Sequence, residues 1–265
     1  MRIRVVNPNT TAAMTELIGA SARAVAGPGV LVDAVTSATG PASIESHYDE
    51  ALSVPGLLAA IADGEACDVD GYVVACFGDP GLDAARELAR GPVVGIAEAA
   101  MHAAALLGRG FSIVTTLDRT RGRAWELAHR YTAPGACRGV HACDIPVLEL
   151  DADPHLADRV AALAGLALEE DGSDVIVLGC AGMSGLCEAV SARLGVPVVD
   201  GVGAATLLVQ SLVTLGLRTS VRNEYAPPLP KPYTGALAGF GMTMQQGSAQ
   251  SGSAKSPVSR GSRAM

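Results

Sequence analysis

Val73-Val74-Ala75-Cys76-Phe77-Gly78-Asp79-Pro80-Gly81-Leu82 returns later in the same chain as Val177-Leu178-Gly179-Cys180-Ala181-Gly182-Met183-Ser184-Gly185-Leu186. At a constant offset of 104 residues, Cys76 falls on Cys180, Gly78 on Gly182, Gly81 on Gly185 and Leu82 on Leu186. After one inserted residue the match resumes, with Pro92-Val93-Val94 on Pro197-Val198-Val199 and Ala99-Ala100 on Ala204-Ala205. A thiol at the same point of two copies implies two thiols facing one pocket. Moving a proton from one face of a carbon to the other requires that arrangement.

Outward from these stretches, short β-branched runs alternate with Ala/Leu-rich helical patterns. Strands are expected near Ile3–Val6, Val30–Val35, Gly71–Ala75, Val93–Gly95, Phe111–Thr115, Val140–Cys143, Val175–Leu178 and Val196–Val199. Helices are expected near Thr10–Ala24, Asp49–Ala62, Leu82–Ala89, Glu98–Leu107, Arg119–His129, Pro154–Glu170, Leu186–Arg193 and Val202–Leu215. Such alternation predicts an α/β fold with parallel sheets flanked by helices. Met1–Ala24 and Phe111–Arg130 repeat the order strand, small polar turn, helix. The expected organisation is two pseudo-symmetric α/β lobes, 1–108 and 109–216. A segment 217–244 then crosses back to the first lobe. Residues 245–265 are rich in Ser, Gly and Ala, and are expected to be a disordered tail.

Hydrophobic residues make up 49% of the chain and aromatics only 3%, so the core must be aliphatic. The net charge of −8, without a Lys/Arg cluster, argues against nucleic acid or an anionic membrane as partner. No run reaches the ~18–20 apolar residues of a membrane span, and Met1–Val6 does not read as a secretory signal. A cytoplasmic protein with reduced thiols is the expectation. The six cysteines form no C-x-x-C pair and the five histidines show no ligand spacing, so no metal site is expected. Phosphate-binding and nucleophile-elbow motifs are missing as well.

Cys76 and Cys180 each follow a strand and precede a turn into a helix. In open α/β sheets the carboxyl ends of strands form the ligand crevice. Helix N-termini there favour thiolate, and a lowered pKa makes a thiol available as a base. Asp79-Pro80 reads as an N-cap with Pro in the first turn, and Ser184 as its counterpart. Cys67, Cys137, Cys143 and Cys187 read as packing residues. Asn9, in Asn7-Pro8-Asn9-Thr10, and Thr115-Thr116 end equivalent strands; each offers donors to a substrate or simply caps a helix. Phe77, Met183 and Ile44 are candidates for shaping the pocket.

Taken together, Val6–Thr10, Gly40–Glu45, Ala75–Leu82, Val114–Thr116, Gly179–Met183, Pro197–Gly201, Tyr225–Pro228 and Lys231–Gly235 resemble the hydantoin and allantoin racemase branch of the aspartate/glutamate racemase superfamily. The resemblance covers about 1–240. It implies a cofactor-independent, homo-oligomeric isomerase with its active site between two lobes, acting on a small cyclic ureide. Cys76 and Cys180 would be the two proton-transfer residues. Asn9, Ser43, Phe77, Gly78, Thr115, Thr116, Ala181, Gly182 and Met183 would contact substrate, with backbone N–H groups near Phe77-Gly78 and Ala181-Gly182 stabilising an enolate oxygen. Aspartate/glutamate-type racemases and maleate isomerases resemble the same pattern. Arylmalonate decarboxylases keep only one of the two cysteines. A non-catalytic small-molecule binder and a redox dithiol protein are the readings from other classes.

Overall fold

The computed structural model describes residues 1–241; the tail expected at 245–265 lies outside the described residues. Met1–Pro227 form one compact unit. It contains two four-stranded, wholly parallel sheets. The first holds β1 (Arg2–Asn7), β2 (Leu31–Thr36), β3 (Gly71–Val74) and β4 (Val93–Gly95), in the order β2-β1-β3-β4. The second holds β5 (Phe111–Thr115), β6 (Cys137–Ala142), β7 (Val175–Leu178) and β8 (Val198–Asp200), in the equivalent order β6-β5-β7-β8. Sequence duplication is thus duplication of topology.

The strand order places the site. In each sheet the chain runs outward from the first strand to an edge, then returns to the other side of that strand. The reversal opens a crevice at the carboxyl ends of β1/β3 and of β5/β7. Register brings the motifs there: Val6 lies opposite Val74, and Val114 opposite Leu178. Asn7-Pro8-Asn9 therefore ends beside Cys76, and Thr115-Thr116 beside Cys180.

Eight helices flank the sheets: α1 (Ala12–Val25), α2 (His47–Ala66), α3 (Leu82–Leu88), α4 (Ile96–Leu107), α5 (Arg121–Tyr131), α6 (Leu156–Asp171), α7 (Cys187–Leu194) and α8 (Gly201–Thr214). Successive strand residues point to opposite faces, and the strands are apolar on both. Val5 and Val73 join Val177 and residues of α1, α4, α5 and α8 in one inner core shared by the two sheets. Val6 and Val74 face outward onto α2 and α3, and Val114 and Leu178 onto α6 and α7.

The halves exchange a helix. α4, from the first half, packs on β7 and β8, whereas α8, from the second, packs on β3 and β4 and crosses α4. Alanines 97, 100 and 104 on α4 and Ala205 on α8 keep this inner layer thin. Return to the first sheet therefore begins with α8, ahead of the segment after Gly216. That segment does reach the first half, for the Tyr225 hydroxyl donates to Asp83 at 3.0 Å. Pro228–Gly241 belong to a separate unit with one 3-10 turn, Gly235–Phe240. Among the described residues no helix is long and apolar enough to cross a membrane.

Helix capping departs from the sequence expectation. Gly81, at φ +64°, precedes α3, and Asp79 does not cap it. Asp79 instead accepts from Ala97 N and Glu98 N at 3.1 and 3.0 Å, capping α4. In the second half Asp200 caps α8 through Val202 N and Gly203 N. Asp200 aligns with Gly95, so the first half lacks a local cap and borrows one from the Cys76 turn. Ser184 caps nothing; its hydroxyl bonds Ser21 at 2.8 Å, tying the Cys180 turn to α1.

Candidate active site

Cys76 and Cys180 line one cavity of about 190 Å³ between the two sheets. That is smaller than the roughly 300–1,000 Å³ of drug-sized sites, and suits a substrate of a few fused or substituted atoms. The backbone after Cys76 turns tightly, with Asp79 N donating to the Cys76 carbonyl at 2.9 Å and Asp79 at φ +45°. After Cys180 the expected turn into a helix is a 3-10 turn, Ala181–Leu186, which leads into α7. The backbone N–H of Gly78 favours the charged form of Cys76, and those of Gly182 and Met183 favour that of Cys180.

Those N–H groups favour thiolate, but burial outweighs them. It drives the Cys76 thiol well above its ordinary range, with the Glu50, Cys180 and Asp79 charges adding to the rise. It pushes Cys180 up to about 12, with help from Cys143 and Glu45. The expectation of thiols lowered by helix termini is therefore corrected. The turns are short, and although each cysteine keeps partial exposure on the cavity, desolvation of the charged form dominates. Both shifts favour the thiol form.

Asn9, Phe77, Gly78, Thr115, Thr116 and Ala181 line the cavity with the cysteines. Ser43, Gly182 and Met183 do not. Met183 is fully buried in the outer core of the second sheet. Gly182 packs toward Leu150, and a Cβ there would lie 3.6 Å from the Cys180 sulfur. Ser43 precedes Ile44, Glu45 and Ser46, which supply the loop's share of the wall. The Asn9 side chain is largely spoken for: its oxygen accepts from Asn7 Nδ2 and Thr11 N, and its nitrogen approaches Met14 Sδ at 3.1 Å. The Thr115 hydroxyl bonds Thr120 at 2.9 Å.

Sequence reasoning did not single out a polar wall made by Glu45, His47, Glu50, Arg119 and Arg123. Glu45 Oε1 accepts from Val147 N at 2.7 Å, joining the two halves at the cavity. Arg123 Nε lies 3.4 Å from Glu50 Oε1. Glu45 stands inside the quoted Gly40–Glu45 motif and was within reach of a reading. The other four sit on helices or turns whose sequence gives no such sign. Of the remaining cysteines, Cys67 is exposed and Cys137 belongs to the core, while Cys143 donates to the Thr116 carbonyl at 3.6 Å, close by the site. Among the described residues no group of three or more His, Cys, Asp and Glu is placed to hold a metal ion.

Two thiols that line one cavity can each exchange a proton with a small molecule bound there. Comparison with known proteins identifies the family. A hydantoin racemase of Rhizobium meliloti is 48% identical over 236 residues, 89% of this chain and 98% of that protein. The structure of an allantoin racemase from Klebsiella pneumoniae superposes with a TM-score of 0.88 at 52% identity, covering 91% of this chain and 99% of that one. The crystal structure of an allantoin racemase from Pseudomonas fluorescens gives 0.85 at 42%, covering 89% and 100%. The family model Asp/Glu/Hydantoin racemase matches residues 3–209. This chain belongs to the Asp/Glu/hydantoin racemase family and is an isomerase.

Proposed function

We propose that the protein interconverts the enantiomers of a 5-monosubstituted hydantoin or of allantoin by two-base proton transfer between Cys76 and Cys180. The observation that carries this reading is the placement of two repeat-equivalent thiols on one small cavity. One cysteine, as thiolate, takes the C5 proton and becomes a thiol. The electron pair passes into the adjacent carbonyl as an enolate. The second cysteine donates its proton to the opposite face and is left as thiolate, so the protein ends charge-balanced with the roles exchanged. The N–H groups of Gly78 and Gly182 stand beside the two sulfurs and can serve the enolate oxygen. In this reading the chain needs no cofactor and works as a cytoplasmic homo-oligomer.

The test follows loss of optical rotation with L- and D-hydantoins, allantoin, aspartate and glutamate. Cys76→Ala and Cys180→Ala are each expected to abolish racemisation. In deuterated water, uptake of label at C5 must accompany inversion. Full activity in either single variant, or inversion without label, refutes the two-base mechanism.

A further inference from the structure

Arg123 reaches the Cys76 turn from the other half of the chain. Its Nε and Nη2 donate to the Gly78 carbonyl at 3.2 and 2.8 Å. Two N–H groups on one acceptor hold that residue in one orientation. Gly78 is also the residue whose own N–H favours the charged form of Cys76. The same guanidinium pairs with Glu50. That carboxylate covers the α-carbon of Gly78, where a Cβ would meet Glu50 Oε1 at 2.5 Å. Glu50, on α2, disfavours a charge on Cys76, and Arg123, on α5, pairs with that carboxylate while it holds the Gly78 carbonyl. The sulfur is also faced by Asp79 on its own turn and by Cys180 on the turn that follows β7. Beyond these, His47 lies 3.8 Å from Glu50, Glu126 lies 3.4 Å from Arg123, and Arg119 lines the same cavity. Arg123 is the one cation in this set that grips the Cys76 turn itself.

We infer that Arg123 is a positioning residue for Cys76: it fixes Gly78 in the turn beside the sulfur and offsets the Glu50 charge, so that Cys76 can ionise and act as a base. The inference rests on the two-base reading for its purpose, but its test does not. The experiment measures alkylation of Cys76 by iodoacetamide in a Cys180→Ala background, with the modified peptide quantified by mass, across about pH 6 to 10. Arg123→Gln is expected to slow Cys76 about tenfold at neutral pH, one pKa unit being a tenfold change in thiolate. Glu50→Gln is expected to accelerate it. Arg123→Lys falls between wild type and Arg123→Gln, because it keeps the charge and loses the two-pronged grip. Cys180, followed in a Cys76→Ala background, keeps its rate in all three.

A merely structural role would not move Cys76 alone, nor in opposite directions for the two partners. An unchanged Cys76 pH profile in Arg123→Gln overturns the inference, as does slowing by both variants. If Arg123→Gln does not fold, Glu50→Gln decides, and no acceleration overturns it. Because no substrate is used, racemisation surviving Cys76→Ala refutes the functional reading without touching this result.

Discussion

Gly95→Ala perturbs the link between the Cys76 turn and the helix that joins the sheets. Gly95 has φ −82° and ψ 149°, which alanine adopts freely, so backbone strain plays no part. The obstacle is Asp79, only 4% exposed. An added Cβ would fall inside van der Waals contact of the Asp79 carboxyl carbon and both its oxygens. Each of those oxygens accepts one backbone N–H of α4, from Ala97 and Glu98. Asp79 is a short side chain on a residue held at φ +45°, so it has no nearby rotamer that keeps both bonds. Losing the cap costs about 1–2 kcal/mol, and leaving buried groups unpaired adds about 1–3 kcal/mol. A total of about 2–5 kcal/mol corresponds to a fall in Tm of about 4–20 °C for a domain of this size. The decisive assay is a double-mutant cycle by calorimetry with Asp79→Ala. With the carboxylate gone, the new methyl occupies vacated space, and Gly95→Ala is expected to be nearly neutral. Racemase activity should fall with the cap in Gly95→Ala, since the displaced residue lies three positions after Cys76. An equal cost of Gly95→Ala in both backgrounds would refute the reasoning, as would a cost below about 1 kcal/mol in wild type.

Three further outcomes are expected. Burial raises the Asp79 carboxyl to about 7, above the ~3.9 of an unfolded aspartate. Its contribution to stability is therefore fully present below about pH 4 and lost as pH rises through 7. The Tm difference between wild type and Asp79→Asn should shift against wild type over that window, and a constant difference would contradict it. With both site thiols raised, kcat/KM should climb about tenfold per pH unit from 7 to 9; a plateau starting below pH 8 in a stopped-flow polarimetric profile would count against the protonated resting state. Gly201→Ala places a Cβ against the Ile96 carbonyl oxygen and 2.9 Å from Ile96 Cβ, where α8 crosses α4. Overpacking of about 1–3 kcal/mol is expected by denaturant titration, and none would be seen if the crossing were loose.

Much of this protein lies in local pattern. Strand and helix positions follow from β-branched runs, Ala/Leu periodicity and Gly/Pro punctuation, because those preferences act over a few residues. The pairing of Cys76 with Cys180 follows from the repeat, because duplicated sequence refolds into duplicated topology and carries equivalent residues to equivalent strand ends. The family resemblance was carried by the motifs around those ends. Asp79 shows where local reading stops. It has the sequence of a cap for the helix beside it, yet it caps α4, because Gly95 stands where the second half has Asp200. Glu50 and Arg123 read as ordinary polar helix residues; only the approach of α2 and α5 over Gly78 makes them neighbours of a thiol. The state of the thiols belongs to the same class. Nearby N–H groups were visible as turns, whereas desolvation depends on everything packed around the sulfur. Local pattern carries the elements, their doubling and the two cysteines that share the cavity. Which helices change sheets, which charges face the sulfurs and how far burial disfavours their ionisation depend on atoms far apart along the chain, and emerge only when the chain is folded.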